Sequence, residues 1–79
     1  MNAEHIWKEV TAILDEQLQY GFLQQAKAVV KVALKDGDFI ITVNSDEALQ
    51  FFKAEVNKQR LIILSRSVFP IETIIVEKE

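Results

Sequence analysis

The stretch "KVALKDGDFIITV", residues 31–43, constrains the fold of this chain more than any other. Two runs of β-branched and apolar residues flank Asp36-Gly37, the dipeptide that best specifies a two-residue hairpin turn. That turn makes Lys35 the partner of Asp38, and the remaining pairs follow. Leu34 stands opposite Phe39, Val32 opposite Ile41 and Val30 opposite Val43, all on one face. Lys35/Asp38, Ala33/Ile40 and Lys31/Thr42 occupy the other. One turn therefore sorts the large apolar side chains of both arms onto a single buried face.

The segments around the hairpin read as helices and one more strand. Residues 4–18, "EHIWKEVTAILDEQL", space Ile6, Trp7, Val10, Ile13, Leu14 and Leu18 by threes and fours, the signature of an amphipathic helix. Glu4 and Lys8 are placed for an i,i+4 pair on its wet side. Tyr20-Gly21 interrupts the pattern, and Gly21 is expected to supply the left-handed residue that closes the helix. "FLQQAKA" predicts a short second helix offering Phe22, Leu23 and Ala26 to the core.

After the hairpin, Asn44 and Ser45 are both good N-caps. With Asn44 as cap, Glu47 completes a capping box. A long helix then sets Leu49, Phe52 and Val56 on one face beside Ala48 and Phe51. It bends near Asn57-Lys58-Gln59, continues with Leu61, Leu64, Ser65 and Val68, and ends before Pro70. "IETIIVEKE" predicts a third strand, with Ile71, Thr73 and Ile75 on one face and Ile74 and Val76 on the other. It is expected to pair in parallel with either hairpin arm. The fold class that follows is α+β: a two-layer sandwich in the order α-α-β-β-α-β, with every helix on one face of a three-stranded sheet.

At 79 residues the chain makes one domain, which buries only about 60% of its unfolded surface. Without cysteine, its apolar residues, 49% of the total, must hold it together. No run is long enough to span a membrane and "MNAEH" is no signal peptide, so a cytoplasmic location is expected.

Catalytic chemistry finds little footing. His5, the single histidine, lies near a helix start with no second base or ligand beside it. Ser45 reads as a cap, Ser65 and Ser67 lie on a helix, and two glycines make no phosphate loop. No cofactor and no metal are expected. The net charge of −3, without a basic stripe, argues against gripping a nucleic-acid backbone. The open sheet face, Lys31, Ala33, Lys35, Asp38, Ile40 and Thr42, has no aromatic on which bases could stack, and no "GxxG" clamp is present. Surplus apolar residues are the better lead. Phe51/Phe52, Ile62/Ile63 and Ile6/Trp7 are adjacent pairs on helices that cannot all point inward. Trp7 has a core reading and a contact-anchor reading.

Taken in order, "IWKEVTAIL", "FLQQAKAV", "LKDGDFIITV", "FFKAEVNKQRLIILSRSVF" and "IETIIVE" resemble the C-terminal domain of the gamma/tau subunit of bacterial DNA polymerase III. That domain is similar in fold to the N-terminal domain of the replication initiator DnaA. Both are KH-like without the RNA-binding loop. Trp7 after an aliphatic residue suits both, whereas "FLQQA" is similar to the gamma/tau form. The initiator's second tryptophan is missing between Phe22 and Ala26. The resemblance implies a non-catalytic protein-interaction domain, residues 1–79, cut from a larger replication protein. It implies a replisome partner: the polymerase for a gamma/tau-like domain, or self-association and helicase recruitment for an initiator-like one. A KH-like single-stranded nucleic-acid binder and a homodimer stand as alternatives. The candidate partner-contact residues are Ile6, Trp7, Tyr20, Phe22 and Phe51.

Overall fold

Asp36 and Gly37 have φ of 52° and 88° in the computed structural model, which describes all 79 residues. Two successive left-handed residues are what a type I′ turn demands, and its twist matches that of the strands it joins. Strands β1 (Val29–Lys35) and β2 (Asp38–Val43) pair antiparallel as the turn dictates, from Lys35↔Asp38 to Lys31↔Thr42. Beyond Lys31 the register shifts, so that Val43 pairs with Val29 and not with Val30. Val30 is the extra residue of a β-bulge and turns out to solvent. The bulge returns Val29 to the inner face, and the Asn44 amide closes the ladder on the Ala28 carbonyl at 2.9 Å.

The third strand, β3 (Thr73–Lys78), runs parallel to β2, giving a mixed sheet in the order β1-β2-β3. Its register aligns Ile74 with Phe39 and Val76 with Ile41, which selects those two for the core. Ile75 is left on the open face beside Ile40, and Ile71 is buried just ahead of the strand. The open face thus carries three cross-strand rows: Lys31–Thr42–Glu77, Ala33–Ile40–Ile75 and Lys35–Asp38–Thr73.

Four helices cover the other face. Helix α1 (Ala3–Glu16) is capped by Asn2, whose Oδ1 accepts from the His5 amide at 2.8 Å. Ala3, Ile6, Val10 and Leu14 form its buried stripe. The left-handed residue that closes α1 is Leu18, with φ 56°, rather than Gly21. The Gln19 amide bonds the Leu14 carbonyl and the Leu18 amide bonds that of Asp15, which is the Schellman pattern. Leu18 therefore leaves the apolar stripe for solvent, while Gly21 lies inside helix α2 (Tyr20–Ala26).

The long helix of the sequence reading is two helices, α3 (Asp46–Lys53) and α4 (Glu55–Arg66), so the order is α-α-β-β-α-α-β. Ser45 caps α3, accepting from the Ala48 amide at 3.1 Å, and the Asn44 capping box does not form. The break falls at Ala54, extended at ψ 129°, and not at residues 57–59. Asn57 Nδ2 donates to the Phe51 carbonyl at 2.9 Å and so satisfies an end of α3. Because the chain turns at Ala54, Val56 no longer shares a stripe with Leu49 and Phe52. The buried stripe of α4 is Leu61, Ile62 and Ser65, where the Ser65 hydroxyl finds no hydrogen-bond partner. Arg66 ties the following loop down through the carbonyls of Ile71 and Glu72. Between the layers, Phe39, Ile41, Val43, Ile74 and Val76 meet Ile6, Val10, Leu14, Phe22, Phe52 and Leu61 in one core.

Candidate functional site

Three phenylalanines set the geometry of the helical surface. Phe51 stands edge-on to Phe22, with ring centroids 5.0 Å apart, and edge-on to Phe52 at 5.3 Å. Phe22 and Phe52 are buried and Phe51 half-buried, so this cluster pins α2 against α3. Arg60 of α4 lies over Phe22, 5.7 Å from its centroid, and its Nη1 donates to Gln19 Oε1 at 3.2 Å. One arginine thereby joins α4 to the corner between α1 and α2, by a cation–π contact and a hydrogen bond.

Around that joint the surface is apolar where water should favour polar groups. Val56 and Ile63 of α4 are 74% and 67% exposed, and Leu18 and Tyr20, flanking Gln19, are 65% and 63% exposed. Val56, Arg60 and Ile63 stand at i, i+4 and i+7, one face of a helix. They line a shallow groove of about 430 Å³ with Glu55, Gln59 and Leu64. Isolated exposed apolar residues need no explanation, but several on one helix face and at the adjoining corner make this the candidate contact surface of the molecule.

Of the five residues named from the sequence, the structure brings Phe22 and Phe51 into ring contact but does not gather all five at one surface. Ile6 is fully buried in the core and Phe22 almost so, which leaves neither free to meet a partner. Phe51 is half-buried as the outermost ring of the aromatic cluster, whereas Tyr20 lies exposed at the corner. Trp7 is half-buried with its ring 6.4 Å from Phe39, and lines a separate groove of about 290 Å³ with Glu4 and residues 29–32. Trp7 thus packs against the core from its edge, with part of the ring left in the groove. Of the adjacent apolar pairs, Ile62 is in and Ile63 out, Phe52 in and Phe51 half out. The sequence reading missed Leu18, Val56 and Arg60. Val56 was hidden because an uninterrupted helix sets it on one face with Leu49 and Phe52, and only the break at Ala54 takes it off that face.

Polar groups elsewhere have structural occupations. His5 Nε2 is 3.7 Å from Glu9 Oε1 on the exposed side of α1, Ser45 is a cap, and the Ser67 hydroxyl donates to the Leu64 carbonyl at 2.6 Å. No three His, Asp or Glu side chains converge as metal ligands would. No helix is long and apolar enough to cross a membrane. The chain matches no family model, no curated protein and no solved structure. Its own surface therefore carries the functional reading.

Proposed function

We propose that this chain is a non-catalytic protein-interaction domain of the bacterial replication machinery, docking a replisome subunit against α4 and the α1–α2 corner. The observation that supports it is the exposure of Val56, Ile63, Leu18 and Tyr20 around the Arg60–Gln19 joint. An amphipathic helix suits such a groove, its apolar anchors meeting Val56 and Ile63 and a carboxylate meeting the remaining Arg60 donors. The replication context comes from the gamma/tau resemblance, which makes the polymerase subunit the first partner and, in the initiator-like form, the helicase the second.

Purified polymerase subunit and purified helicase, each titrated against the chain by calorimetry, test the reading. Wild type is expected to bind the polymerase. Val56→Asp and Ile63→Glu, both at exposed positions, should each weaken that binding by roughly tenfold or more without altering the circular dichroism spectrum. Unchanged affinity in both variants would remove the docking surface. Binding to neither protein would remove the replication assignment, and steeply salt-dependent binding to single-stranded DNA would put a nucleic-acid role in its place.

A further inference from the structure

The two edges of the sheet are built differently. Edge strand β1 carries Lys31 and Lys35 and the bulge at Val30, devices that keep an edge from pairing. Edge strand β3 has no bulge and no proline, and its six residues keep unbroken register with β2. In a parallel ladder alternate residues turn both peptide groups to the neighbour. The Glu79 amide bonds the Val43 carbonyl at 2.9 Å, so the odd-numbered residues of β3 face β2. Ile74, Val76 and Lys78 consequently present their N–H and C=O groups to the free edge.

Charge along this edge changes sign from end to end. Near Lys78 stands Asp46 of α3, its carboxylate 3.4 Å from the ammonium and largely exposed. At the other end Lys53 and Lys58 overhang a groove of about 380 Å³ lined by Thr73, Ile74, Ile75 and Val76. Lys78 and Asp46 offset each other, the exposed Glu77 and Glu79 leave that end acidic, and Lys53 and Lys58 leave the other basic, so the strip complements itself when turned through a half rotation.

We propose that a second copy of this chain pairs antiparallel with β3 about a two-fold axis at Ile75, joining two three-stranded sheets into one of six strands. In that register Ile74 and Val76 exchange main-chain hydrogen bonds with Val76 and Ile74 of the second copy. Ile75, 37% exposed in the single chain, meets its own mate, and the apolar row Ala33–Ile40–Ile75 runs on across the axis. Glu72, whose side chain lies across Gly37 in the single chain, comes opposite the second copy's Lys78. Lys53 and Lys58 approach the second copy's Asp46. An axis at Val76 would set Ile75 against Glu77, and one at Ile74 would set it against Thr73, so apolar pairing and charge select the same register. The paired area is that of one short strand, below the 1,200 Å² or so of stable complexes, which makes the dimer weak and concentration-dependent. It uses a different surface from the docking groove on α4 and is independent of the proposed function.

Sedimentation velocity from about 10 µM to about 1 mM, the range in which such small interfaces associate, should show a growing dimer. Over the same range the Ile74 and Val76 amides should gain hydrogen-exchange protection. Ile75→Lys places like charges opposite each other and should weaken association by roughly tenfold while leaving the monomer folded. Lys78→Glu should weaken it too, and Glu72→Lys added to Lys78→Glu should restore it. A monomer throughout that range, a dimer that leaves the Ile74 and Val76 amides exchanging as in the monomer, or one that survives Ile75→Lys would overturn the pairing.

Discussion

Leu18 is held where leucine is least at ease. Its φ of 56° lies in the left-handed region, which costs a residue with a Cβ about 1–2 kcal/mol and which glycine or asparagine occupies far more readily. Nor does burial repay the strain, since the side chain is exposed. Strain without local compensation fits a contact residue better than a structural one. Leu18→Gly is therefore expected to stabilise the fold by about 1 kcal/mol, raising Tm by roughly 4–8 °C in a domain of this size. If the proposed docking surface is correct, it should at the same time weaken binding to the polymerase subunit. A thermal melt and a titration on the same sample check both halves, and a variant that gains stability without losing affinity would show that Leu18 faces no partner. Gly37, at φ 88°, was legible from its pairing with aspartate between two apolar runs. Leu18 was not, because the end of α1 is set by its last buried residue, Leu14, and by the Gln19–Leu14 bond, not by the nearest glycine.

The break between α3 and α4 decides what the helical layer shows to solvent. An uninterrupted helix would bury Val56 with Leu49 and Phe52; the extended residue at Ala54 resets the phase and leaves Val56 in water. Nothing in "FFKAEVN" announces the break, since alanine is the best helix former and no glycine or proline is near. What pulls the chain apart there is non-local: α3 packs on β2 and β3, whereas α4 must reach α1. The first turn of α4 has no side-chain cap, because Ala54 has none to give. Ala54→Asp supplies an acceptor for those amides and a negative charge at the positive end of the helix dipole. Urea denaturation should register a gain of about 1 kcal/mol. A loss of stability would mean that the carboxylate acts more on the C-terminus of α3, which Ala54 also caps, than on the start of α4.

At the scale of the whole molecule, one shared core between the two layers holds the fold together, with no disulfide to support it. A chain of this length is stable by about 4–12 kcal/mol in all. Phe39, the second residue of the central strand β2, has its ring fully buried near Trp7. Phe39→Ala should cost about 3–5 kcal/mol, most of that margin. The variant is expected to lose dispersed amide resonances at 37 °C and to shift Trp7 fluorescence to the wavelength of exposed indole. A cooperative melt with unchanged Trp7 emission would place the weight of the core elsewhere. The surface of 4759 Å² is close to the 4,900 Å² or so expected for a monomer of this mass, so the single chain is already fully condensed. The apolar side chains left on α4 and at the α1–α2 corner are thus a matter of placement and not of incomplete folding.

The sequence alone determined the hairpin and its register from the turn as far as Lys31, the two-layer architecture, the Pro70 stop and the presence of more apolar residues than the core can take. Each of these depends on residues a few positions apart: a turn dipeptide, a period of two or of three to four, a ring that fixes φ. Tertiary structure alone decided that β3 lies beside β2, that Val30 bulges, that α3 and α4 part at Ala54, and that Val56, Ile63 and Leu18 are the residues left over. Those outcomes turn on which distant surfaces compete for the same core volume, and close packing settles that competition only when all seven elements are in place.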